Sequence, residues 1–173
     1  MGVILTYGTL SARVACAHDP RFACSPREAK PVLVADPKKS WAFYGHLALG
    51  QRDRYLVQTP ESVAVPVQLL VDQRDAGNSA RPVATVVNAS GKTLATIALD
   101  RTQTFFEPFS RVTYLESPER TFRFSAGDTW IDVSMRGGDS QRYTLAIGSD
   151  ERFSVLEMPY LFGAVYRIHT RSF

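Results

Sequence analysis

Short apolar runs separated by turn residues fill residues 41–148, and their spacing predicts strands, not helices. The run at 41–49 stops at Gly50. Residues 54–58 alternate charged and apolar positions and end at Thr59-Pro60. Residues 62–71 hold the most apolar stretch, which suits a central strand. Pro66 lies inside it and has no ladder hydrogen to give, so a bulge or an edge position is expected there. Residues 82–87 and 93–99 flank Asn88-Ala89-Ser90-Gly91, a hairpin signal. Residues 121–124 lead to a turn at Gly127-Asp128. Residues 129–135 then alternate strictly, with Trp130, Asp132 and Ser134 on one face and Ile131, Val133 and Met135 on the other. Gly137-Gly138-Asp139 turns the chain into a last run at 142–147. The expected fold is all-β, an antiparallel two-sheet sandwich of about eight strands. No helical period interrupts these runs, which argues against a parallel α/β sheet.

Both ends differ from this middle. Residues 1–40 carry Pro20, Pro26, Pro31 and Pro37, a spacing that defeats long helices and central strands alike. An irregular arm is expected, with one short edge strand at Val32-Leu33-Val34. In residues 151–173, apolar side chains fall at Phe153, Leu156, Tyr160, Leu161, Ala164, Val165 and Ile168, a helical stripe. Pro159 fits a first helical turn, and Arg167, His169 and Arg171 suit the C-terminal end of the helix dipole. Two readings of this segment stand. It packs on the sandwich as a helix or strap, or it is an amphipathic segment that grips a protein partner or lies on a membrane surface. The contact residues of the second reading are Tyr160, Leu161, Phe162, Val165, Tyr166 and Ile168. The expected organisation is an arm at 1–40, a sandwich at 41–150 and a C-terminal amphipathic segment at 151–173.

Composition changes this picture little. With 173 residues, 45% hydrophobic and 21% charged, the chain is long and apolar enough for one self-sufficient core. The net charge of +3 is small and its arginines are interleaved with acids, which excludes a nucleic-acid footprint. No apolar run is long enough for a transmembrane helix. The start of the chain is apolar and carries Ala15-Cys16-Ala17, similar to a small-residue cleavage site, but it lacks a basic leader and Arg13 interrupts it. An export-signal remnant is one reading of it. Cys16 and Cys24 are the two cysteines; they close a small disulfide loop in an oxidising compartment, or they are two unrelated thiols. Their spacing matches no zinc or haem signature.

Little in the chain points to catalysis. His18, His46 and His169 lie far apart, and nucleophile elbows and phosphate-binding glycine loops are absent. Asp72, Asp75, Asp128 and Asp139 form no dense calcium-binding array. Glu107, Glu116 and Glu119 are the carboxylates nearest to aromatics, without the paired arrangement of a glycosidase. No metal and no cofactor is expected. The segment with Phe105, Phe106, Phe109 and Tyr114 is an aromatic loop that, if exposed, would bind carbohydrate or peptide.

Two groups of residues carry a family resemblance. Trp41-Ala42-Phe43-Tyr44-Gly45-His46-Leu47 and Gly50-Gln51-Arg52-Asp53-Arg54-Tyr55 resemble the opening of bacterial pre-peptidase C-terminal-like β-sandwich domains. Phe124-Ser125-Ala126-Gly127-Asp128-Thr129, Gly137-Gly138-Asp139 and Tyr143-Thr144-Leu145-Ala146-Ile147-Gly148 resemble the closing half. The resemblance spans about residues 41–148 and implies an extracytoplasmic accessory or binding domain that is not a catalyst. The chain departs from the family in having Asp139-Ser140-Gln141-Arg142-Tyr143 where an Asp-x-Asp-Leu-Tyr element is usual, so no calcium or ligand site of the family is carried over. The expected function is a non-catalytic periplasmic or extracellular interaction subunit, peripheral to a membrane, that docks onto a larger, membrane-embedded protein complex. The alternative is a carbohydrate- or peptide-binding module using the aromatic loop.

Overall fold

The computed structural model describes residues 19–22, 27–77, 79–108, 110–152 and 158–173. Along the chain these form β1 (Asp19–Phe22), β2 (Arg27–Val34), β3 (Trp41–Ala48), β4 (Arg52–Thr59), β5 (Val63–Asp72) and β6 (Arg81–Asn88). They continue with β7 (Thr93–Ala98), β8 (Gln103–Glu107), β9 (Val112–Glu116), β10 (Arg120–Phe124), β11 (Gly127–Arg136), β12 (Ser140–Ile147) and the helix α1 (Met158–Thr170). One sheet of seven strands runs β1-β3-β12-β5-β9-β8, with β10 also on β5; the other, of five, runs β2-β4-β11-β6-β7. No described helix is long and apolar enough to cross a membrane.

The predicted sandwich is present, with twelve strands where about eight were expected. Two of the additional strands, β1 and β2, lie in the segment expected to be irregular. Each pairs in parallel with an edge, β1 on β3 and β2 on β4, so the sandwich is not wholly antiparallel. Pro20 and Pro31 suggested breaks, yet both sit in terminal strands of a sheet, where a missing N–H is tolerated. The other two, β8 and β9, turn the expected aromatic loop into a hairpin with Phe105 opposite Tyr114. Pro66 lies within β5, just beyond the ladder with β12, which stops at Val67; its carbonyl accepts from the Gly148 N–H. It pairs with Thr121 of β10 on the other side, so the missing N–H falls where the β12 ladder has already ended.

The space between the sheets is filled by alternate residues. Tyr55 and Val57 of β4, Val65, Val67 and Leu69 of β5, Ile131 and Val133 of β11, and Leu145 and Ile147 of β12 are fully buried there. The two faces read for β11 are observed, and the one with Ile131, Val133 and Met135 is turned inward. In contrast, β3 and β12 are buried on both faces, because α1 covers the outer side of the seven-stranded sheet. Ile168 of α1 packs there with Ala42, Tyr44, Leu70, Tyr114 and Ala146. Leu161, Ala164 and Ile168, spaced by three and four, are the buried stripe of the helix.

The two halves of the resemblance motif meet in the core. Tyr143 donates its one phenolic proton to Asp53 Oδ2 at 2.6 Å and therefore accepts from the Tyr55 hydroxyl at 2.7 Å. All three residues are buried. Gly45 makes room for them, since a Cβ there would sit 2.5 Å from the Tyr143 ring. Removing the central hydroxyl leaves two buried groups short of a partner. Tyr143→Phe is expected to cost about 2 kcal/mol. A lower urea midpoint at unchanged slope is the readout; a wild-type midpoint would mean that the phenol contributes nothing.

Candidate functional site

Among the described residues, the edge of the sandwich formed by β1 and β2 is left uncovered. The turn at Gly50, with φ +83°, carries the chain from β3 in one sheet to β4 in the other. β1 lies outboard of β3 and β2 outboard of β4, so the two parallel strands face each other across the gap between the sheets. A groove of about 360 Å³ lies there. Its apolar walls are Trp41 and Phe43 from β3, Val32 and Leu33 from β2, and Phe22 from β1. Arg21 from β1 and Tyr160 and Arg167 from α1 complete it.

Local geometry fixes these side chains. The Asp36 carboxylate accepts from the Lys38 and Lys39 N–H groups, and the Asp36 carbonyl accepts from Trp41 Nε1 at 2.7 Å. The chain end beyond β12 then clamps this turn: Ser149 N–H and Asp150 N–H both donate to the Lys38 carbonyl. Tyr160 donates its hydroxyl to the Pro20 carbonyl at 2.9 Å, which ties α1 to β1.

Cations gather around the aromatic rings. Asp19 is fully buried and paired with Lys39 Nζ at 2.7 Å and Arg21 at 3.0 Å. Both cations also lie over the Trp41 ring, at 4.5 and 5.1 Å from its centroid. Arg21 lies equally near the Tyr160 ring, and Arg167 lies 4.0 Å over Phe22. Arg21 and Arg167 thus line the groove, and Lys39 lies over the Trp41 ring that forms its wall. Such contacts set guanidinium groups against an apolar wall.

The residues singled out from sequence are distributed unevenly. Of the helix set, Leu161 and Ile168 are buried on the seven-stranded sheet and Val165 is half-buried, so these three serve the fold. Tyr160 belongs to the groove. Phe162 and Tyr166 are 65% and 69% exposed and, four apart, share the solvent face of α1. Of the aromatic hairpin, Tyr114 is buried, Phe105 is half-buried against the second cluster, and Phe106 is exposed. Phe109, Cys16, Cys24 and His18 lie outside the described residues, and the candidate disulfide with them. His46 and His169 are exposed on separate elements. Burial, and then the neighbouring Arg142, hold the His46 imidazole below its usual pKa. Among the described residues no group of three or more His, Cys, Asp or Glu is placed to hold a metal ion.

The groove residues Arg21, Phe22, Val32, Leu33, Trp41, Phe43 and Arg167 were not singled out from sequence. The one usable signal was the apolar triplet 32–34, read as a short edge strand. The parallel docking of β1 carries no periodicity of its own, since four residues do not establish a pattern.

No family model matches the chain, and no curated protein matches it. Among solved structures it is similar to the pre-peptidase C-terminal domain of a collagenase from Bacillus anthracis, with 11% identity and a TM-score of 0.41. That match covers 75% of this chain and 94% of the other. It is the family whose opening and closing elements the sequence resembles, and at this identity the likeness concerns shape and says nothing of ligand or activity.

Proposed function

We propose that this chain is a non-catalytic recognition module that holds an apolar side chain and an adjacent acidic group of a protein partner in the groove between β1, β2, β3 and α1. The observation that carries this is an apolar groove that has Arg21 and Arg167, each over an aromatic ring, among its lining residues. Apolar pockets with a few fixed polar groups are the usual form of a binding site. Phe162 and Tyr166 add a second exposed aromatic pair on the same helix, the residue type that anchors interfaces. A larger, membrane-embedded assembly is the setting in which such a module would serve as an accessory subunit. The aromatic hairpin has weaker support: of its described rings, Phe106 alone is exposed, too little for a stacking platform.

A photo-crosslinking residue placed at Leu33 in the native host tests this. Leu33 is 54% exposed at the groove, so the replacement leaves the core intact. The same residue placed at Thr96, exposed on β7 at the far side of the five-stranded sheet, is the control. One protein species crosslinked from position 33 and absent from position 96 is expected. Equal crosslinking from both positions, or none from 33, would remove the groove as the site.

A further inference from the structure

We infer that the chain pairs with a second copy of itself through β7, strand against antiparallel strand, about a two-fold axis at Thr96. The five-stranded sheet of one copy then runs on into that of the other. The inference comes from how the sandwich protects its sheet edges, and it does not depend on the groove. A terminal strand leaves one row of backbone groups without a ladder partner. Proline or charge within such a strand discourages another chain from adding to it. Five strands have a described neighbour on one side alone, and four of them carry such residues. β1 holds Pro20 and Arg21, β2 holds Lys30 and Pro31, β8 ends in Glu107 ahead of Pro108, and β10 holds Arg120 and Arg123. β7 reads Thr-Leu-Ala-Thr-Ile-Ala, with neither charge nor proline.

The bulge in the β6–β7 ladder does not spoil this edge. It lies between Val86 and Val87, opposite the start of β7, and residues 95–98 then pair without a break with 83–86. Ile97 is buried in the core and Thr96 is exposed, so the strand alternates as a half-buried edge does. A two-fold axis normal to the sheet keeps inward side chains beside inward ones. Centred on Thr96, it sets Thr96 against Thr96 of the second copy, Ile97 against Ala95 and Leu94 against Ala98. Each large side chain meets a small one, and the two threonines meet each other, pairs that suit a ladder.

Charge selects this register. Lys92 and Asp100 flank β7 at equal distances from Thr96, and both are exposed. The axis therefore sets Lys92 of each copy across from Asp100 of the other, twice over, while Arg101 falls beside Gly91. Opposite charges directly across a ladder support it. Moving the centre to Ala95 or Ile97 puts Lys92 across from Ala98 or Thr102 and loses both pairs. β7 is the strand of its sheet farthest from β2, so the pair leaves both grooves uncovered and presents two of them to a partner.

Sedimentation equilibrium of the full chain tests this. A concentration-dependent equilibrium between monomer and dimer is expected. Thr96→Lys sets two lysines against each other on the axis and should weaken the dimer about tenfold. The position is exposed, so the circular dichroism spectrum should not change. Lys92→Asp and Asp100→Lys should each weaken the dimer roughly fivefold, and the two variants mixed should pair with one another as tightly as the wild type does. A crosslinking residue at Thr96 should join two copies into a product of twice the chain mass, unlike the species captured from Leu33. A chain that stays monomeric at every concentration would overturn the inference. So would a dimer indifferent to Thr96→Lys, or charge variants that stay apart when mixed.

Discussion

Gly148→Ala is expected to lower the stability of the fold by about 4 kcal/mol and to disturb the groove at the same time. Gly148 has φ +79°, in the left-handed region that costs an L-residue about 1–2 kcal/mol. The backbone alone would be tolerable. The larger cost is steric: an added Cβ would meet the Lys39, Pro37 and Lys38 carbonyls at 2.1, 2.6 and 2.8 Å. These are main-chain atoms of the turn that the Gly148–Asp150 stretch clamps, so no side chain can swing aside, and such overlap adds about 1–3 kcal/mol. The turn leads directly into Lys39 and Trp41, so its displacement would unseat the cation stack of the groove. Gly50→Ala is the matched control. Its φ is +83° and its added Cβ would have nothing within 4 Å, so it should show the backbone cost alone, about 1–2 kcal/mol. Urea unfolding of the two variants checks this. Equal midpoints would mean that the carbonyl cage at Gly148 yields freely.

Stability should also collapse at alkaline pH, and steeply. Three phenols resist ionisation in the folded chain. Burial is the main cause for each: it raises Tyr44 and Tyr143 well above the usual tyrosine value and pushes Tyr114 up to about 12. Neighbours add to it for two of them: Tyr55 and Asp53 oppose a charge on Tyr143, and Tyr114 opposes one on Tyr44, whereas hydrogen bonds with Tyr44 and Ser110 partly offset burial at Tyr114. A raised folded pKa means that the folded chain holds protons the unfolded chain releases. Below about pH 10 both states keep them, and these groups make no pH dependence. Above it the unfolded state ionises first, and each phenol costs about 1.4 kcal/mol per pH unit. Three together cost about 4 kcal/mol per unit up to pH 12, against a total of roughly 5–15 kcal/mol for a domain of this kind. Urea midpoints should be flat up to pH 9 with respect to these groups and fall sharply between pH 10 and pH 12. Tyrosinate absorbance should rise together with unfolding. Tyrosinate formation well before the loss of structure would show that the three rings are reached by water in the native state.

The middle of the fold was legible because its strands follow the rule of two. In β11 the alternation of Ile131, Val133 and Met135 with Trp130, Asp132 and Ser134 separated the two faces, and the first of these sets is the buried one. The Asn88–Gly91 turn placed β6 and β7 side by side for the same reason: local turn chemistry sets a hairpin. What escaped was non-local. Burial on both faces of β3 and β12 depends on where α1 settles, which Leu161, Ala164 and Ile168 decide by docking on Tyr44 and its neighbours. The stripe on α1 was visible in sequence, but a stripe records only that something covers it. The cover is the chain's own sheet, and the described parts of both tails fold back on the sandwich instead of standing free. The groove escaped for a similar reason. Arg21, Leu33 and Arg167 come from three separate elements, and the parallel placement of β1 and β2 that gathers them leaves no mark in the local pattern.

The chain has two tryptophans, Trp41 in the groove wall and Trp130 on the outer face of the five-stranded sheet beneath Arg54. Trp130→Phe leaves the first as sole reporter and Trp41→Phe the second. On titration with a tryptophan-free segment of the protein crosslinked from position 33, the emission of Trp41 should move to the blue and its quenching by acrylamide should fall, while Trp130 stays unchanged. A response from Trp130 with Trp41 silent would place recognition on the other face of the sheet and contradict the groove.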